Sequence, residues 1–278
     1  MKLATIRTAS GTAAVRLDDA EAVELGVADL SELLRRAGWR EQAATAAGPR
    51  HPRASLAYAP LVPTPGKIIC VGLNYRTHIL EMGRELPSYP TLFAKFSNAL
   101  LGAQDNIVLP DVSDQVDWEA ELGVVIGRPA RRVSAGQAAD AIAGYTIVND
   151  VSMRDWQCRT SEWLQGKSFE ASTPVGPWLV TPDEVDAARL DLRCAVDGET
   201  RQHANTRDLL FQPADIVAYL SQFTTLEPGD LIATGTPGGV GAGREPRVFL
   251  RGGQTLTTTI DGLGQLSNYC LAEPARSR

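Results

Sequence analysis

Residues 116–127 read VDWEAELGVVIG, and the alternation within them decides the fold class. Side chains of an extended strand point to opposite sides in turn, so Val116, Trp118, Ala120, Leu122 and Val124 share one face. Asp117, Glu119 and Glu121 share the other. Same-face neighbours lie about 6.6 Å apart along the backbone, so long Glu side chains can converge on one cation. Taken alone, ExE more often marks a solvated sheet face, because exposed acids are common. A second apolar run, AIAGYTIVND over residues 141–150, changes the reading by ending in Asp150 at a strand-to-loop junction. Glu119, Glu121 and Asp150 then offer three hard oxygen donors, which suit Mg²⁺ or Mn²⁺, with Ca²⁺ also admitted, rather than zinc. A glycosidase pair fits less well, since that chemistry needs carboxylates on opposite sides of a sugar.

Working outward, KIICVGLNY, PVGPWLV, LDLRCAVDG, DLIATGTP and QTLTTTIDGLG are further short β-rich runs between Gly, Pro and Asp turns. Two helices interrupt them. One covers residues 134–143, capped by Ser134 and Gln137 and stopped by Gly144. The other covers residues 213–222, with Ile216, Leu220 and Phe223 on one face. Strands and helices do not alternate regularly, which argues against Rossmann and TIM-barrel folds and predicts an α+β, predominantly β architecture. Upstream, VADLSELLRRAG places Leu30, Leu33, Leu34 and Ala37 at helical spacing, with Asp29 and Glu32 as a capping box and Gly38 as the stop. Residues 43–65 are rich in Ala and Pro and read as an extended connector. The expected division is a small N-terminal α+β domain with its connector over residues 1–60, then a catalytic domain over residues 61–278.

Hydrophobic residues at 44% and charged residues at 22% describe an ordinary globular chain. A net charge of −6 argues against a broad basic surface for nucleic acid or anionic lipid, and makes a small molecule the expected partner. The first residues lack the continuous apolar segment of a signal peptide, and no run is long enough for a membrane helix. A cytoplasmic location is the default expectation. Cys70, Cys158, Cys194 and Cys270 show no zinc-finger spacing and are expected to be reduced, buried thiols.

Three polar clusters accompany the acids. VSMRDWQ puts Arg154 and Gln157 on one helical face, and QGKSFE brings Lys167. Arg and Lys neutralise a substrate carboxylate, while Gln orients a carbonyl. NYRTHILEMG sets His78 and Glu81 three apart on a helical turn, where a carboxylate can orient an imidazole for proton transfer. His51 and His203 show no such partner. EPGDLIATGTPGGVGAG is a strand and a Gly-rich turn that lets backbone N–H groups approach an oxyanion, with Thr236 as a hydroxyl donor. Arg244 and Glu245 stand where a P-loop needs Lys and Ser/Thr, and neither GxGxxG nor GxSxG is met.

The ordered set NYRTHILE, DWEAELGVVIG, YTIVNDVSMRDWQ, KSFEASTPVGPW and TLEPGDLIATGTPGGVG, spanning residues 67–271, resembles the fumarylacetoacetate hydrolase family. That family includes acylpyruvate hydrolases, oxaloacetate decarboxylases and 2-hydroxyhepta-2,4-diene-1,7-dioate isomerases. The resemblance implies a mixed β-sandwich roll, commonly a homodimer, with Glu119, Glu121 and Asp150 as metal ligands. It also implies His78 and Glu81 as a catalytic dyad on a mobile lid and Lys167 as a substrate-contacting catalytic lysine. Arg154, Gln157 and Thr236 match substrate-side positions. The expected activity is divalent-metal-dependent hydrolysis of a C–C bond in a 2-oxo or 1,3-diketo acid of acylpyruvate or fumarylpyruvate type. Oxaloacetate-type decarboxylation and 2-hydroxy-dienedioate isomerisation are alternatives on the same enolate chemistry. A non-catalytic ligand-binding module is the rival from another class, against which the His–Glu pair, Lys167 and all three acids stand.

Overall fold

In the computed structural model, which describes residues 1–274, the strand Ala120–Ile126 runs inside a 12-stranded sheet. It pairs antiparallel with Ile142–Asn149 on one side and Leu231–Ala233 on the other. Beyond Ile142–Asn149 the sheet continues through Thr173–Val180, Lys2–Thr8, Gly11–Leu17, Glu21–Glu24 and Arg50–Pro52. Beyond Leu231–Ala233 it continues through Ile68–Gly72 and Thr91–Lys95. The register Lys2↔Val180 and Leu3↔Leu179 joins the N-terminal strands to the later ones, so both stretches of chain share one continuous sheet.

Alternate residues of the central strands feed two cores. Leu122, Val124 and Ile147 pack with Trp118 toward a second, five-stranded sheet that contributes Leu192, Cys194, Leu256 and Leu266. Val125, Val148, Leu179 and Leu3 face the other way, onto Leu30, Leu33, Leu34 and Trp39. Each fully buried aliphatic side chain contributes about 1.5–3 kcal/mol, so a strand covered on both faces is apolar on both. The mixed β-sandwich expectation holds. The acids of VDWEAELG do not lie on a solvated face: Asp117, Glu119 and Glu121 are all buried.

Local differences from the sequence reading have identifiable causes. The helix Ala135–Ala141 carries the Ser134–Gln137 capping box but ends early, because Ile142 and Ala143 enter the next strand. Gly144 is a close-packing residue there, since a Cβ would lie 2.4 Å from the Val180 carbonyl oxygen. In the helix Pro213–Ser221, Ile216 and Leu220 are buried, whereas Phe223 lies past the end and is 60% exposed. Asp29 caps the single-turn helix Leu30–Leu34 through Glu32 N, but Gly38 begins a second helix, Trp39–Thr45, into which the supposed connector intrudes. The connector also holds the strand Arg50–Pro52, where His51 meets Glu24 at 2.7 Å. Cys70, Cys194 and Cys270 are buried free thiols, while Cys158 is exposed. Among the described residues no helix is long and apolar enough to cross a membrane.

Candidate metal centre and its cavity

The acidic strand is interrupted at the point where the site forms. Val116–Asp117 pairs with Ser152–Met153, the main ladder resumes at Ala120, and Glu119 sits in the gap. Two bonds hold that gap to the end of the neighbouring strand: Asp150 N donates to Glu119 O at 2.8 Å, and Glu119 N donates to Asn149 Oδ1 at 3.0 Å. One carboxylate oxygen each from Glu119, Glu121 and Asp150 then lie within 4.8 Å of one another, all three side chains being buried.

Cations surround this cluster unevenly. Lys167 Nζ bridges Glu119 Oε2 at 2.7 Å and Asp150 Oδ2 at 2.8 Å, and Lys95 Nζ donates to Asp150 Oδ1 at 2.5 Å. Arg154 pairs with Glu119 Oε1 at 2.6 Å and Asp117 Oδ2 at 2.8 Å, and donates to Gln157 Oε1 at 2.9 Å. Burial alone would raise the Asp150 carboxyl, but Lys167 and Lys95 outweigh it and bring the group down to about 2. Lys167, which burial would depress, is raised by Asp150 and Glu119. Glu121 differs: it accepts from Gly235 N at 2.7 Å and has no cation partner among the described residues. Burial first, then the like charges of Asp150 and Glu119, push its carboxyl well above the usual carboxylate range. A buried carboxylate held beside two others without its own counter-charge is a donor set that a divalent cation fits.

These groups form one end of a cavity of about 570 Å³ that His78, Glu81, Arg154, Gln157, Lys167 and Thr236 also line. All nine sequence-derived site residues thus belong to the cavity or to the carboxylate cluster at its end. Two glycines permit the approach. A Cβ on Gly166 would lie 2.3 Å from Gln157 N and 2.4 Å from Met153 O, so only glycine lets the turn Leu164–Lys167 press onto Arg154–Gln157 and deliver Lys167. A Cβ on Gly238 would meet His78 Nδ1 at 3.2 Å and Glu81 Oε2 at 3.3 Å, which places both dyad side chains against that turn. His78 and Glu81 are not hydrogen-bonded to each other here. Burial lowers the His78 pKa against the raising influence of Glu81 and Glu119, which favours the neutral imidazole that a base requires. Leu73, just before the helix Arg76–Glu81, sits at φ +56°, a left-handed conformation costly for a bulky residue. Asn74 clamps it through the Phe211 and Thr234 carbonyls and the Phe211 N–H.

Thr236 reaches the cavity, but its hydroxyl donates to Ala120 O at 3.0 Å and accepts from Gln202 Nε2 at 2.8 Å. The Gly-rich turn likewise spends N–H groups on protein carboxylates: Gly241 and Ala242 bond Asp117 at 2.6 and 2.9 Å. Sequence reasoning passed over Lys95 and the role of Asp117. The signal for Lys95 was a lone cation inside the apolar run TLFAKF, which needs a buried acid to offset its desolvation.

Comparison with known proteins gives a consistent set of likenesses. The sequence profile described as "Fumarylacetoacetate (FAA) hydrolase C-terminal" matches residues 67–270. Oxaloacetate tautomerase Fahd2a, mitochondrial, of Rattus norvegicus is 44% identical over 222 residues, 79% of this chain and 71% of that protein. The fumarylacetoacetate hydrolase of Exiguobacterium antarcticum superposes with a TM-score of 0.87 at 31% identity, covering 98% of this chain and 100% of the other. The 2-hydroxyhepta-2,4-diene-1,7-dioate isomerase of Mycobacterium marinum does so with a TM-score of 0.79 at 34% identity, covering 98% and 99%.

Proposed function

We propose a reaction for this chain on the premise that it belongs to the fumarylacetoacetate hydrolase family, whose members are enzymes. The reaction is metal-dependent hydrolysis of a C–C bond in a 2-oxo or 1,3-diketo acid of acylpyruvate or fumarylpyruvate type. The observation that carries it is the buried, cation-poor Glu121 facing the same cavity as a histidine that burial keeps neutral.

Glu119, Glu121 and Asp150 would hold Mg²⁺ or Mn²⁺, which when bound supplies Lewis-acid polarisation of the 2-oxo group and offsets enolate charge. His78, with Glu81 on the same helical face, takes a proton from water as the water oxygen bonds to the distal carbonyl carbon. The C–C bond then breaks. Its electron pair passes to the 2-oxo fragment as an enolate, and the proton held on His78 returns to that carbon. Lys167 and Arg154 stabilise the substrate carboxylate, and Gln157 orients it. Movement of the helix Arg76–Glu81 over the cavity would exclude bulk water.

A second reading is keto–enol isomerisation, in which His78 moves a proton between carbon and oxygen of the substrate itself, without attack by water. The tautomerase and isomerase among the similar proteins favour it. Incubation of Mg²⁺- or Mn²⁺-loaded protein with acylpyruvates, fumarylpyruvate, oxaloacetate and a hydroxyhepta-dienedioate, with product identification, separates the readings. Two carboxylic acids from a diketo acid support hydrolysis. Isomer interconversion without cleavage of any of them rejects it.

A further inference from the structure

At the far end of the acidic strand lies a second concavity, of about 510 Å³, whose lining residues are all different from those of the carboxylate cavity. Glu121 and Arg128 are separated by roughly 20 Å of extended chain, so a ligand there does not touch the metal centre. Its wall is made by RRAGWR, residues 35–40, and by residues 127–129, which Trp39 Nε1 ties together by donating to Gly127 O at 3.3 Å. In a chain of net charge −6 it gathers Arg35, Arg36, Arg40 and Arg128 against one acid, Glu227.

Three of these guanidiniums are held in place. Arg40 stacks on Trp39 at 4.5 Å and donates to the Ile142 and Ala143 carbonyls at 3.3 and 3.4 Å. Arg35 donates to Thr64 O at 2.8 Å, and Arg36 pairs with Glu32 at 2.6 Å. Among the described residues, however, Arg35, Arg40 and Arg128 have no carboxylate at ion-pair distance, and the Arg128 side chain makes no hydrogen bond. A guanidinium has five donors, so most of theirs remain open. Arg40 is half-buried, and burial lowers its pKa, with Asp183 raising it and Arg128 lowering it further, so the net direction is downward, a cost that a bound anion would relieve. Arg35 and Arg40, fixed yet without a carboxylate partner, lose little side-chain entropy on binding an oxyanion, and Arg128 adds a guanidinium whose donors are all open.

We propose that this arginine-lined cavity binds a small multivalent oxyanion, phosphoryl or polycarboxylate, gripped by Arg40 and Arg128. The site stands independently of the reaction assigned to the carboxylate cavity. Isothermal titration calorimetry of the metal-loaded full chain with inorganic phosphate and with tricarballylate tests it. The expected result is a single site for at least one probe, weakened by salt. The tighter probe identifies the source of the oxyanion. Arg128→Gln, an exposed change that leaves the fold intact, should weaken binding about tenfold or more, as should Arg40→Gln. Arg193→Gln, an exposed arginine on the five-stranded sheet, should leave it unchanged. Glu121→Gln should also leave it unchanged, which separates this site from the metal centre. Absence of heat with both probes in the millimolar range overturns the proposal. Binding that survives the double Arg40→Gln, Arg128→Gln change, or that is lost in Glu121→Gln, overturns it as well.

Discussion

The carboxylate end of the cavity and the helix Arg76–Glu81 on its wall are built in opposite ways. At the carboxylate end the charged groups are buried or, at Arg154, nearly so, and Lys95, Lys167, Arg154, Glu119 and Asp150 are locked by bonds of 2.5–2.9 Å. On the helix, His78 and Glu81 carry no side-chain hydrogen bond, and Leu80 and Met82 are 58% and 40% exposed. The first region is fixed by desolvated ion pairs that are expensive to break. The second is anchored at its start by Thr77 N on Asp208 and by buried Tyr75 and Ile79, but its two cavity-facing polar side chains are held by no bond. Stability and chemistry should therefore separate by region.

The largest effect should come from Glu121→Ala. It removes the ligand that lacks its own cation, and metal affinity and turnover should both fall on the order of a thousandfold. Calorimetric metal titration beside a product assay measures the pair; unchanged metal affinity would remove Glu121 from the centre. Next, His78→Ala should lower turnover about 10²–10³-fold while leaving the melting temperature unchanged, because its side chain holds nothing else together. A large drop in melting temperature would break the contrast. Lys95→Met should do the reverse in kind, costing about 3 kcal/mol of stability by leaving Asp150 short of a partner. Denaturant unfolding reads this directly.

Three smaller effects depend on proton balance. Burial and its acidic neighbours make Glu121 keep its proton to higher pH than an ordinary carboxylate, and a binding cation must expel that proton. Affinity should rise with pH, and titrations in buffers of different ionisation enthalpy should show proton release that Glu121→Gln abolishes. His78 acts while neutral, and burial lowers its pKa. Its acid limb should therefore lie below the ordinary histidine value, with activity lost as pH falls through it and flat above. Gly238→Ala should press on the dyad, lower turnover within about tenfold and shift that limb, without changing metal affinity. An unmoved limb would mean that the Gly238 turn does not set the environment of His78.

Much of the site was legible because its spacing is local. Glu119 and Glu121 share a direction two residues apart, Arg154 and Gln157 meet across one helical turn, and His78 and Glu81 line the same cavity from one helix without bonding each other. Asp150 was legible as an acid closing an apolar run. The capping box at Ser134 and Gln137 likewise needs nothing beyond its own four residues. What the reading missed lies past a helix end or across the sheet. Phe223 has helical spacing but falls beyond the last turn, and Gly144 reads as a helix stop until the Val180 carbonyl is placed against it.

The chain by itself therefore pointed to a predominantly β fold and offered the three carboxylates and the histidine as candidates through period-two and three-residue spacings, and the ordered family motifs, not the spacing, raised them above solvated side chains. Only the tertiary structure decided which charges are neutralised. Lys95 meets Asp150 across 55 residues, Gly235 meets Glu121 across 114, and Arg40 shares a cavity with Arg128. Those meetings follow from the order of strands in the sheet and from how the N-terminal helices cover one face. Burial then turns each charge from a solvated detail into a strong interaction, because water no longer screens it.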